Sequence, residues 1–127
     1  MKAFVPRNKH GPEYSIQRNF VKFLEDRHWL VERMIGNVYQ TGIPDLFIAH
    51  KKYGTRFLDI KNPVSYNFTG AQRLKWPIWD SFGIGIWIIT AATEEEYQKL
   101  FLPPNWHDYW KPSYDERSIK NALNDLQ

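Results

Sequence analysis

Apolar positions between residues 13 and 26 recur with the period of a helix. Ile16, Phe20, Phe23 and Leu24 fall at i, i+4, i+7 and i+8, a core-facing stripe, and Pro12 suits the first turn. Residues 30–35 (LVERMI) read as a strand closed by the Gly36-Asn37 turn signal. Two further apolar runs, 45–50 and 56–61, predict strands joined by a tight connection. Residues 63–69 form a polar loop. Thr69 then predicts the cap of a helix over 70–82, which Pro77 should kink or interrupt. The nearly continuous apolar run over 84–90 (IGIWIIT) predicts a central strand. Thr93 and Glu96 predict a capping box on a short helix ending near Leu100. Past Pro103-Pro104 the chain is rich in Trp and Tyr, with a last helix expected over 114–126. The order α-β-β-β-α-β implies an α/β protein with a mixed sheet flanked by helices, followed by an aromatic and helical C-terminal extension.

Composition narrows the class. A chain of 127 residues, 43% hydrophobic and 24% charged, is ordinary globular material and suits one domain with one core. We divide it into a basic N-terminal arm (1–11), a core (13–90) and an extension (91–127). Without cysteine it has no disulfide framework and no thiolate metal site. Its longest apolar run is too short to span a bilayer, and the first residues lack the apolar stretch of a secretory signal, so a cytoplasmic protein is expected. A formal charge of +3 favours a polyanionic partner.

The candidate chemistry lies in "GIPDLFIAHKKYGTRFLDIKN", residues 42–62. Asp59 and Lys61 are two apart in a strand and share a face, while Leu58 and Ile60 point to the other. An ionised carboxylate beside an ammonium in a half-buried strand is costly unless the site uses them. Asp45 stands at the far end of the antiparallel partner, so the hairpin returns Asp59 to its neighbourhood. A shared face requires Asp45 to lie opposite an odd-numbered residue, Asp59 or Lys61, and hence a connection of odd length or a bulge. Two converging carboxylates make a hard-oxygen site suited to Mg²⁺, with Mn²⁺ expected to substitute and the Ile60 carbonyl placed as a further ligand. Lys61 is then placed to orient a water or to stabilise charge on a phosphoryl group. Together these residues form a constellation for hydrolysing a phosphodiester.

Pro44-Asp45 followed by Asp59-Ile60-Lys61 resembles the P-D…(D/E)-x-K signature of the PD-(D/E)XK nuclease superfamily, most nearly its VRR-NUC branch, which is similar to Holliday junction resolvases. Glu13 early in the first helix, Gly42 before Pro44-Asp45, and Thr69 with Gln72 at the next helix match the same pattern. The second acidic position is Asp where that branch more often has Glu, and Arg33 is the nearest counterpart of its Val-Arg-Arg triplet. The resemblance covers roughly residues 13 to 90. It implies a restriction-endonuclease-like fold and a metal-dependent endonuclease acting on DNA, with branched or Holliday-junction-like DNA as a candidate substrate. It further implies Glu13, Asp45 and Asp59 as metal ligands, Lys61 as catalytic and Gln72 as supporting. The minimal size suggests a phage or mobile-element enzyme, and cutting two strands with one site per chain implies a homodimer.

Other readings stand beside this one. A site-specific restriction or homing-type nuclease uses the same constellation, and an inactive nucleic-acid-binding module can keep the fold. Asp45 can also simply begin a turn after Pro44, leaving Asp59 and Lys61 as a surface ion pair. Arg18, Lys22, Lys51, Lys52, Arg73 and Lys75 are candidates to line a DNA groove. His10, His28, His50 and His107 lack ligand spacing and read as structural or surface residues, although His50 and Lys51 near the hairpin tip are placed to touch phosphate.

Overall fold

In the computed structural model, residues 11–35 and 41–110 are described; the expected arm, the Gly36-Asn37 turn and the expected helix over 114–126 lie outside them. The elements are α1 (Pro12–Glu25), β1 (Leu30–Arg33), β2 (Leu46–His50), β3 (Gly54–Ile60), α2 (Gly70–Ser81), β4 (Ile86–Ile89), α3 (Glu94–Gln98) with a 3-10 turn (Lys99–Phe101), and α4 (Trp106–Tyr109). The sheet order is β1-β2-β3-β4, antiparallel for the first two pairs and parallel for β3 with β4. This is the mixed α/β arrangement that the order of elements implies.

Two apolar layers hold the sheet from opposite sides. Phe20, Val21 and Leu24 of α1 pack with Leu46, Ile48, Leu58, Ile60, Ile89, Tyr97 and Leu100. On the other side Phe68 and Trp76 pack with Ile86, Ile88 and Trp106, joined by Phe57, Tyr66, Trp79, Tyr109 and Trp110. Even-numbered β3 positions serve the first layer, which leaves Asp59 and Lys61 facing the second. No helix among the described residues is long and apolar enough to cross a membrane.

Three local expectations are corrected. The 84–90 run forms an edge strand among the described residues, not a central one. It is apolar because it is buried on both faces, and its outer edge is occupied by a side chain. Asn105 Oδ1 accepts from the Ile88 N–H at 2.6 Å and Asn105 Nδ2 donates to the Ile88 carbonyl at 3.3 Å, much as a neighbouring strand would. Pro77 does not interrupt α2, which runs on to Ser81 with one ladder donor fewer. The Thr93 box forms only by half. Thr93 Oγ accepts from the Glu96 N–H, while the Glu96 carboxylate turns instead to the Thr90 N–H at 2.8 Å and to Lys99.

Gly42 fixes how the chain enters β2. Its φ is +83°, and a Cβ there would lie 2.7 Å from the Ala71 backbone carbon of α2. Its carbonyl accepts from Trp76 Nε1 at 2.7 Å. Gly42→Ala combines left-handed strain with overpacking, and should cost at least about 2 kcal/mol. Thermal unfolding should show a drop of several degrees; an unchanged midpoint would mean that the close approach to α2 is not maintained.

Candidate active site

The geometry begins with register. Leu46 pairs with Leu58 and His50 with Gly54, so the connection is the three residues Lys51, Lys52 and Tyr53. One step beyond Leu46 and Leu58, Asp45 stands opposite Asp59, as the shared face requires. The two carboxylates are knit into the strand ends. Asp45 Oδ2 accepts from the Ile60 N–H at 2.8 Å, and Asp59 Oδ1 accepts from the Asp45 N–H at 3.2 Å. The Asp45 carbonyl accepts from the Met34 N–H at 2.8 Å, which ties the same position to the end of β1.

Lys61 completes the cluster. Asp59 and Lys61 are 1% and 5% exposed, so this is a buried ion pair, not the surface pair of the plainer reading. Lys61 Nζ lies 3.1 Å from Asp59 Oδ2 and donates to Gln72 Oε1 at 3.1 Å and to the Asn67 carbonyl at 2.6 Å. Gln72 is held by its place in the fold. Thr69 and Gln72 form a complete capping box at the start of α2, in which Gln72 Oε1 also accepts from the Thr69 N–H at 3.1 Å. One oxygen thus links the cap of a helix to the ammonium.

Glu13 reaches the same end of the sheet from the opposite layer. Its Oε2 accepts from the Asn62 N–H at 3.1 Å, just past Lys61, and its charge bears on Asp45. Among the described residues, no three His, Cys, Asp or Glu side chains form a metal-holding group. The acceptor set is therefore the Asp45–Asp59 pair, with Glu13 beside it on the backbone. Ile60 has its side chain in the α1 layer and its N–H on Asp45.

The candidate groove residues scatter. Arg73 follows Gln72 in α2, its guanidinium 5.3 Å from the Trp110 ring, and Lys75 lies on the outer face of that helix. Arg18 and Lys22 are exposed one turn apart on α1. Lys51 and Lys52 sit at the other end of the hairpin from Asp45, about 20 Å away over six steps at roughly 3.4 Å each. His50 stays there too, its ring against Trp29 and Tyr53 and its Nδ1 accepting from the Lys52 N–H at 3.0 Å. Sequence reasoning missed the aromatic side of the site. The Phe68 and Trp76 rings lie 4.7 and 5.7 Å from Lys61 Nζ. The available signal was Phe68 immediately before the Thr69 cap, the staple position of α2.

The electrostatics follow from burial. Desolvation, and then the neighbouring Asp45 charge, hold the Asp59 carboxyl well above its ordinary 3.8, while Lys61 pulls the other way. Asp45 is raised too, first by desolvation and against its hydrogen bond from Ile60. A carboxyl raised in the folded chain keeps a proton that the unfolded chain has released. Its stabilising contribution is full below the unfolded pKa and is lost as pH rises through the folded one.

No family model and no curated protein matches the chain. A solved structure described as a VRR_NUC domain is similar to it, with a TM-score of 0.59 at 14% identity over 72% of this chain and 96% of that one. At that identity the likeness is one of fold.

Asp45→Asn removes the charge that repels Asp59 and keeps an acceptor for the Ile60 N–H. With divalent ions chelated, denaturant titrations at about pH 4.5 and about pH 7.5 should show wild-type protein losing more stability across that window than the variant. Equal losses would mean that the two carboxyls do not interact.

The paired carboxylates, the buried lysine and the likeness together place this protein among VRR-NUC-like, restriction-endonuclease-like folds.

Proposed function

We propose that this protein is a Mg²⁺-dependent endonuclease that hydrolyses DNA phosphodiester bonds, with branched DNA as its preferred substrate. The observation that carries the reading is Asp45 opposite Asp59 on one sheet face, with Lys61 Nζ 3.1 Å from Asp59 Oδ2. The fold likeness to a VRR_NUC domain supports it.

The residues fit a small divalent cation. Mg²⁺ takes one or two carboxylates and fills its remaining positions with water and substrate phosphate, so a pair suffices where three acidic groups do not converge. Asp45 and Asp59 would hold the ion, with the Ile60 carbonyl and Glu13 as candidate further contacts. A buried Asp59 and a half-buried Asp45, both raised first by desolvation and Asp59 also by the Asp45 charge, form a donor set that a cation relieves. The chemistry an ion supplies at such a pair is polarisation of a phosphoryl oxygen and a lowered pKa for a coordinated water. The chain supplies the remainder. Lys61 donates to the phosphoryl oxygen on which charge accumulates. Gln72 holds the ammonium in line, and Arg73, next to it in α2, neutralises a phosphate. One centre cuts one strand, so two copies related by a two-fold axis act on a duplex. The outer face of α2 offers apolar surface for that pairing, with Leu74 and Ile78 exposed beside Lys75 and Trp79.

The test is purified protein with Mg²⁺, Mn²⁺ or chelator against linear, flapped, four-way-junction and single-stranded DNA, and RNA. Cleavage should require the ion and be fastest on branched DNA. Asp59→Asn removes charge at nearly constant volume and should lower the rate by at least about 100-fold with DNA binding retained or tightened. Normal cleavage by Asp59→Asn, or cleavage that persists in chelator, would contradict the assignment.

A further inference from the structure

We propose that Phe68, backed by Trp76, is a positioning residue that holds the Lys61 ammonium while one of its N–H groups turns to the substrate; this rests on the nuclease reading above. An ammonium has three donors and no acceptor. Lys61 Nζ already faces three acceptors, namely the Asn67 carbonyl at 2.6 Å, Asp59 Oδ2 at 3.1 Å and Gln72 Oε1 at 3.1 Å. In this arrangement no N–H is left for a phosphate oxygen, so one acceptor must withdraw before Lys61 can act.

Two of the three are committed elsewhere. The Asn67 oxygen belongs to the backbone, and Gln72 Oε1 also accepts the Thr69 N–H in the α2 capping box. Asp59 holds the Asp45 N–H through Oδ1, which leaves Oδ2 as the acceptor that can turn from Lys61 toward Asp45. When Oδ2 turns away, Lys61 gains a free donor and loses the anionic group that contacts it among the described residues. A buried cation left in that state needs compensation that does not occupy the freed N–H, and an aromatic face provides it.

The Phe68 ring, 4.7 Å from Nζ, and the Trp76 ring, 5.7 Å from it, are both within cation–π range. Both are buried, at 4% and 0% exposure, where such an interaction is least weakened by water. Phe68 is itself immobilised. It meets Trp76 edge-on at 5.5 Å and Trp110 at 4.8 Å, and as the residue before the Thr69 cap it is fixed to α2. The ring also carries Arg73 at 5.9 Å, so DNA affinity must be followed separately from rate.

The experiment replaces Phe68 with mono-, di- and trifluorophenylalanine, which drain the ring face progressively at nearly constant shape. Phe68→Leu and Phe68→Tyr are made beside them. Single-turnover cleavage at saturating protein, DNA affinity and thermal unfolding are measured for each. The saturated rate should fall stepwise, by about tenfold at the trifluoro ring, with affinity and unfolding midpoint nearly constant. Phe68→Leu should be slow and Phe68→Tyr near wild type. A rate that is flat across the fluorinated series, in a protein that cleaves DNA, overturns the positioning role and leaves the nuclease reading standing. Wild-type protein that does not cleave at all overturns the nuclease reading, and this inference with it.

Discussion

The length of one connection governs the candidate site. Three residues join β2 to β3, and Gly54, with φ +86°, supplies the left-handed turn that closes them. Side chains alternate along a strand, so a connection one residue longer or shorter would move Asp45 to the α1 face or against an even-numbered partner. The register is enforced by the apolar set it buries. Leu46, Ile48 and Leu58 are 0% exposed and Ile60 is 2% exposed, and each such side chain contributes about 1.5–3 kcal/mol when fully buried. That burial offsets the repulsion between two carboxylates on the other face. The pairing is therefore a by-product of the core, not something the carboxylates could have formed on their own.

The opposite layer determines what surrounds that pair. Gly42, which Trp76 holds by its carbonyl, delivers the chain to Asp45. The Thr69–Gln72 box starts α2 and extends one oxygen to Lys61. The aromatic residues of this layer exclude water from the lysine while their faces favour its charge. A helix cap, a glycine and a set of rings that each look structural thus converge on a single ammonium.

Much of this was legible from residue pattern. The helical stripe of α1, the strands flanking Lys51-Lys52-Tyr53, and the odd-register condition on Asp45 all follow from periods of 3.6 and 2, which are local. The errors have a common cause, because they concern side-chain partners and distances that neither period encodes. The apolar run ending in Ile89 looked central, since burial on both faces reads the same whether the edge is covered by a strand or by Asn105. Glu96 matched a capping box by spacing, but Thr90 and Lys99 compete for its carboxylate. The hairpin-tip lysines lay close to Asp45 in sequence yet stand a strand's length from it. Phe68 fell in a stretch read as a polar loop, and a ring's contact with a cation leaves no periodic trace.

The central claim is that Asp45 and Asp59 together form one cation site. Crystals grown with Mn²⁺ and measured at the manganese absorption edge test it most directly. The account predicts one anomalous peak between the two carboxylates, with oxygens at about 2–2.5 Å and Asp59 Oδ2 withdrawn from Lys61. Crystals that bind Mn²⁺ elsewhere, with Asp59 still on Lys61 and on the Asp45 N–H, would contradict it.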